Sequence, residues 1–313
     1  MWLSMGSMRL RTCMPWASVR LGAVRALHGS PAHFEKPKLP PSVSEAKRTE
    51  KTMKRFWKDV FLAYEEASMS NDEHFQIQLD KRSVRTPGGA VLRVPGDRPL
   101  LACLIAQEWD EQSQVVKPHS LPLTSLVARA IDGLSQDATR EEAESLLLRY
   151  FDTDAVCYHE TKPAKLVQMQ EERWAPLIEW AKTYFQIPIV PAQGTLLHAQ
   201  APEARDKIAR VMAGMEPLDL AALERAVMTS KSMIIGMALV HRHIEAEQAA
   251  LAAEVETATQ ASMWGAIDDS HDVDHAELRR QLASVACAQV ITEPELVERF
   301  VKVLRERKGA FRT

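Results

Sequence analysis

Ser232-Met233-Ile234-Ile235-Gly236-Met237-Ala238-Leu239-Val240 is apolar nearly all round. A helix at a protein surface carries a polar face, so a run without one belongs inside a bundle. It is also far too short to cross a bilayer, which takes roughly 18 apolar residues or more. The reading is therefore the buried central helix of an α-helical domain, expected within one helical segment over 218–243. The rest of the chain should then supply the helices packed around it.

Working outward, both flanks supply such helices. On the N-terminal side a long helix is expected from 164. Leu166, Met169, Trp174, Leu177, Ile178, Ala181 and Phe185 share its face at the 3.6-residue period. A connector follows at 187–197, with Pro188, Pro191 and Gly194, and then a helix at 202–212. Earlier helices are expected after Asp97, at 121–131 and at 143–150. The first places Leu100, Leu101, Leu104, Ile105 and Trp109 on one side, with Glu108, Asp110 and Glu111 on the other. Trp109 and Trp174 read as core residues. Toward the C-terminus, Ile244, Leu251, Val255 and Ala258 mark one helix, and Leu278, Leu282, Val285 and Ala286 the next. Pro294 opens a last one.

Before Asp97 the period changes to two. Phe75, Ile77 and Leu79 alternate with Gln76 and Gln78, a half-buried strand. Asp80-Lys81-Arg82 turns the chain, Val84 and Thr86 begin a return strand, Pro87-Gly88-Gly89 turns it again, and Val91, Leu92 and Val94 form a third strand. The expected fold class is α+β. A small antiparallel β-containing N-terminal domain over 52–96 precedes a larger all-α helical bundle over 97–313.

The first residues belong to neither. Residues 1–34 contain Arg9, Arg11, Arg20 and Arg25 and no acid, in a background of Met, Leu, Trp and Ser. Arginines interrupt every apolar run, so a secretory core is missing and the composition is that of a mitochondrial presequence. Residues 35–51, with Pro37, Pro40, Pro41, Lys36, Lys38 and Lys47, read as an extended linker. Losing residues 1–34 removes four arginines and no acid, so the net charge moves from −3 to −7. An acidic body does not point to nucleic acid. Of four cysteines, Cys13 lies in the leader, and Cys103, Cys157 and Cys287 are scattered without a C-x-x-C pair. That argues against a structural zinc site and a disulfide framework and fits a reducing compartment.

Sequence motifs for chemistry are few. There is no phosphate-cradling G-x-x-x-x-G-K-[ST], no G-x-G-x-x-G, no G-x-S-x-G and no H-E-x-x-H. One constellation carries an enzymatic alternative. His241 and the pair His271-Asp272 have the order of HD-type metal phosphohydrolases, whose imidazole and carboxylate ligands suit divalent ions. The distant fourth Asp of that pattern is absent, because no Asp follows Asp274.

The other dense stretch is Trp264-Gly265-Ala266-Ile267-Asp268-Asp269-Ser270-His271-Asp272-Val273-Asp274-His275. It joins two helical patterns. Gly265 can take the left-handed conformation that ends a helix, and Asp272 or Asp274 can cap the next. Two readings stay open here: a metal or acid-base site, or a structural corner with an acidic surface for a partner; Trp264 itself reads as a core plug.

Several blocks together resemble the mitochondrial F-type ATP synthase assembly factor 2 family. They are Lys54-Arg55-Phe56-Trp57, Gln107-Glu108-Trp109-Asp110, Leu121-Pro122-Leu123-Thr124, Phe151-Asp152-Thr153-Asp154, Trp174-Ala175-Pro176-Leu177-Ile178-Glu179-Trp180-Ala181, and the corner itself with Leu278-Arg279-Arg280-Gln281-Leu282. The resemblance implies a chaperone of the mitochondrial matrix without cofactor or catalytic group. It implies binding of the free α subunit of the ATP synthase catalytic head; the chain itself is expected to be a monomer. It also implies a β-containing N-terminal part before an α-helical part. The partner-binding residues expected from it are Trp264, Asp268, Asp269, His271 and Asp272, with Trp109, Trp174 and Gly265 structural. Where the family pattern leads one to expect Glu, this chain has Asp268, one methylene shorter.

Overall fold

A β-hairpin starts the described chain: β1 (Val60–Glu65) runs antiparallel to β2 (His74–Leu79), with Val60 opposite Leu79 and Glu65 opposite His74. The computed structural model describes residues 54–68, 72–193, 200–267, 269–307 and 310–311; the expected leader, the linker and Asp268 lie outside them. Strands β3 (Arg82–Ser83) and β4 (Arg93–Pro95) both pair with β2. Val60, Leu62, Phe75, Ile77, Leu92 and Val94 are buried, as strict alternation requires of a sheet with one covered face. The cover is α1 (Pro99–Asp110), whose Leu101, Ala102, Ile105 and Ala106 are buried against it.

Two blocks of the sequence meet at the end of α1. Glu108, expected on the polar side, instead turns its carboxylate to the start of α2 (Pro122–Arg129). It accepts from the backbone N–H of Leu123 at 2.7 Å and of Thr124 at 2.9 Å, and from the Thr124 hydroxyl at 2.7 Å. A helix opened by Leu121-Pro122 has no side-chain cap of its own, and Glu108 supplies one from another helix. Burial raises the carboxyl pKa of Glu108, while those donors oppose the rise. Next to it, the Trp109 indole donates to Thr124 Oγ1 at 3.1 Å, and its ring meets Trp57 edge-on at 5.3 Å. Trp109 is buried, as expected.

After a π-helical turn at 130–134 come α3 (Asp137–Asp152), the short β5 (Tyr158–His159), α4 (Ala164–Arg173) and α5 (Ala175–Phe185). The single helix expected from 164 is two, broken at Trp174, because Pro176 removes a backbone donor where the helix would continue. Residues Ala192–Gln193 form β6, parallel to β5, within what was expected to be a plain connector. Then follow α6 (Pro202–Ala213), α7 (Pro217–Ser230) and α8 (Met233–Val240).

All eight residues of α8 are buried, so the central helix stands where its pattern put it. The continuous helix over 218–243 does not. Lys231 takes a left-handed φ of 60° and ends α7, and Ser232 caps α8, its hydroxyl accepting the Ile235 N–H at 3.0 Å. The break lets α8 fold back along α7. A Cβ on Gly236 would sit 2.6 Å from a Val227 methyl, so the pair approaches more closely than any larger residue allows. Asp154, wholly buried, ties the region together: its carboxylate accepts from Val156 N–H at 3.0 Å and from Ile234 N–H at 2.9 Å. Burial pushes its pKa up to about 6, against the pull of those donors and the positive end of α8.

The last helices are α9 (Ala246–Ala253), α10 (Val255–Trp264), α11 (His271–Ala288) and α12 (Pro294–Glu306). The chain then returns to its start: β7 (Ala310–Phe311) pairs antiparallel with β1 on the edge away from β2. Neither β1 nor β7 was among the strands expected. The described architecture remains a small antiparallel sheet on the N-terminal side followed by a helical region.

Candidate functional site: an acidic and apolar helical corner

Helix α10 buries only Val255 and Thr259. Its first turn is held firmly. The joint between α9 and α10 is Glu254, whose buried carboxylate takes Arg279 Nη1 at 3.0 and 3.2 Å and lies against His275 Nδ1. Arg279 also grips Glu247 with two bonds, at 2.9 and 3.0 Å, so one guanidinium of α11 fastens both preceding helices. From the other side, the Trp174 indole donates to the Ala252 carbonyl at 2.8 Å and Arg173 to the Leu251 carbonyl at 2.9 Å. The break at Trp174 thus places a donor where α9 runs out of partners for its last carbonyls.

Beyond that anchor the chain swings into solvent. Met263, Trp264, Ile267 and Val273 are 44, 77, 66 and 59% exposed. The reading of Trp264 as a core plug is therefore corrected: the last turn of α10 carries it past the body it could have packed against. Gly265 ends the helix with φ 89° and ψ 154°, not the left-handed helical cap expected. This extended, positive-φ conformation is essentially confined to glycine. Asp269 has a left-handed φ of 61°. The corner closes on His271, whose Nδ1 accepts the Ile267 N–H at 2.9 Å while the His271 backbone N–H donates to the Ile267 carbonyl at 3.1 Å. With Nδ1 accepting, the neutral ring carries its proton on Nε2.

Ser270 occupies the N-cap position of α11, so Asp272 and Asp274 stand in the first turn instead of capping it. There they stand at the positive end of the helix. Asp269, Asp272 and Asp274 are exposed, and none is ion-paired among the described residues. Within eleven residues of chain, Met263 to Val273, the corner thus exposes four large apolar side chains along with the carboxylates of Asp269 and Asp272. Of the residues at this corner, the sequence singles out Trp264, Asp269, His271 and Asp272; it does not single out Met263, Ile267 and Val273, or the Glu247–Arg279–Glu254 clamp. The density of apolar residues between acids in the stretch was the available signal for the former.

The three residues of the metal alternative are not brought together. His241 follows α8 and is packed among Trp180, Tyr184 and Phe185, with ring centroids 6.4, 5.1 and 5.5 Å away. Its pKa is lowered by burial. His271 holds the corner as described. Among the described residues no three His, Cys, Asp or Glu side chains are placed to hold a metal ion. Among the described residues no helix is long and apolar enough to cross a membrane.

Comparison with known proteins gives one answer. Residues 54–182 match the family described as ATP12 chaperone protein. Protein atp12, mitochondrial, of Schizosaccharomyces pombe is 34% identical over 245 residues, covering 75% of this chain and 81% of that protein. Protein ATP12, mitochondrial, of Saccharomyces cerevisiae is 30% identical over 291 residues, covering 78% and 86%. The crystal structure of Atp12 from Paracoccus denitrificans superposes with a TM-score of 0.63 at 30% identity, covering 77% of this chain and 97% of that one. A putative chaperone from Agrobacterium tumefaciens, Atu1473, does so at 0.65 and 29%, covering 75% and 84%. By identity along most of its length, the chain belongs to the ATP12 chaperone family.

Proposed function

We propose that this protein is a non-enzymatic assembly chaperone of mitochondrial ATP synthase. It holds the free α subunit of the catalytic head in the matrix and prevents its aggregation before the hexamer forms. The corner between α10 and α11 is its client surface. The observation that carries this is the exposure of Met263, Trp264, Ile267 and Val273 in one corner that also exposes Asp269, Asp272 and Asp274. A soluble protein keeps such a cluster in water when a partner covers it. Apolar anchors supply the affinity, and surrounding charge selects the partner and speeds encounter. Family membership, the names of the mitochondrial relatives and the arginine-bearing, acid-free leader support the compartment.

The test reverses charge at the corner. Asp269→Lys with Asp272→Lys is expected to keep the circular dichroism and melting of the parent, since exposed substitutions cost the fold little. It is expected to lose suppression of α-subunit aggregation. A folded variant that still keeps the α subunit soluble overturns the assignment of the surface. A parent protein that never binds the α subunit overturns the client. For the compartment, replacing Arg9, Arg11, Arg20 and Arg25 by Gln should leave a reporter fused to residues 1–34 outside mitochondria.

A further inference from the structure

A groove of about 640 Å³ opens between the first described residues, the β3–β4 connection and the end of α1, on a different set of elements from the corner. Lys54, Arg82 and Arg85 line it, and no carboxylate does. All three are exposed, and none is ion-paired among the described residues; Arg85 donates only to the Gly89 carbonyl, at 2.7 Å. In a body of net charge −7 this is a local reversal of sign. Between the cations lie aromatic rings. Phe56 is exposed, sits 6.0 Å from the Arg82 guanidinium and covers Trp57 edge-on at 5.1 Å. Trp57 is only 4% exposed, yet its indole N–H has no acceptor among the described residues. A buried donor left unmade is a cost, and such a group calls for an explanation.

We propose that this groove binds an acidic, apolar segment of a polypeptide client. Its carboxylates pair with Lys54, Arg82 and Arg85, and an apolar side chain displaces Phe56 to pack on Trp57. Displacement of that exposed ring is what brings the orphan indole donor to an incoming acceptor. Three unpaired cations match a segment with two or three carboxylates. A nucleic acid backbone would carry its charge onto a molecule that is acidic elsewhere, which disfavours it. The groove and the corner then present opposite signs to a client, so a bound subunit is oriented as well as held. The proposal rests on the reading of the protein as a polypeptide chaperone. Its test contains no part of the α subunit, so either reading can fail alone.

The probe is a short fluorescein-labelled peptide alternating Glu and Leu, titrated against the full chain and followed by anisotropy. Binding is expected to weaken as salt is raised. Arg82→Glu with Arg85→Glu should reduce affinity by about tenfold or more, two exposed charge contacts having become repulsions. Phe56→Ala should change affinity while leaving the salt dependence intact, because it alters the apolar contact alone. In nitrogen-labelled protein one indole N–H signal should shift on binding, and Trp57→Phe should remove that signal from the spectrum. No binding of the acidic probe overturns the proposal. So does equal affinity in the charge-reversed variant, or displacement of the probe by a short single-stranded RNA.

Discussion

Trp264, Trp174 and Trp109 are the same residue in three environments, and the corner reading makes Trp264→Ala the decisive replacement. A tryptophan side chain buries about 150–250 Å² when covered. With 77% of Trp264 exposed, about 150 Å² is open to a partner, which at ~25 cal/mol/Å² sets a ceiling near 4 kcal/mol of binding. Aromatic anchors at the centre of interfaces lose about 2–4 kcal/mol on truncation, so affinity for the α subunit should fall by about 30-fold or more. The fold should scarcely notice, within about 0.5 kcal/mol. Trp174→Ala is the control. Its ring is buried and its indole bonds the Ala252 carbonyl, so its loss should cost about 3–5 kcal/mol and lower the melting temperature by on the order of 10 °C. The assay is surface-immobilised α subunit binding, with thermal melting on the same preparations. Trp264→Ala protein that binds as the parent does would refute the client surface. Early melting of that variant would show the side chain to be structural after all.

Arg279→Ala removes the guanidinium that joins Glu247 and Glu254 to α11; the side chain is a third exposed, so a loss of only about 1–3 kcal/mol is expected, read as faster amide exchange in α10. Unchanged exchange there would show that the clamp holds nothing. Gly236→Ala puts a methyl 2.6 Å from Val227 and should destabilise by about 1–3 kcal/mol despite the better helix propensity of Ala; a rise in melting temperature would show that α7 and α8 can part freely. Asp154 titrates at about 6 in the fold against ~3.9 unfolded, so the folded state binds its proton more tightly. Its contribution is fully present below pH ~4 and is lost as pH rises to about 6. The parent should therefore lose stability relative to Asp154→Asn across that window, and parallel pH profiles of the two would contradict the assignment.

Much of this protein could be read from its residues because the signals are local. The all-apolar run at 233–240 had to be interior whatever surrounded it, and the alternation Phe75, Ile77, Leu79 had to be a half-buried strand. The α+β order, the buried Trp109 and Trp174 and the family itself followed from patterns a few residues long. The breaks at Trp174 and Lys231 did not, although Pro176 hinted at the first. A helix period continues through both, and only packing of α8 back along α7, and of the Trp174 indole against α9, makes a break favourable. Pairing across long separations was equally invisible. Glu108 capping α2, Arg279 gripping Glu247 and β7 closing on β1 each need a partner that no window of the sequence contains. The candidate site divides along the same line. Composition marked the corner as acidic with one large aromatic. Whether that aromatic was a plug or an anchor depended on where α10 ends relative to the body, and exposure of Trp264 is a property of the tertiary structure alone. The basic groove has the same origin: Lys54, Arg82 and Arg85 are scattered cations until the sheet and α1 bring them to line one groove with Phe56.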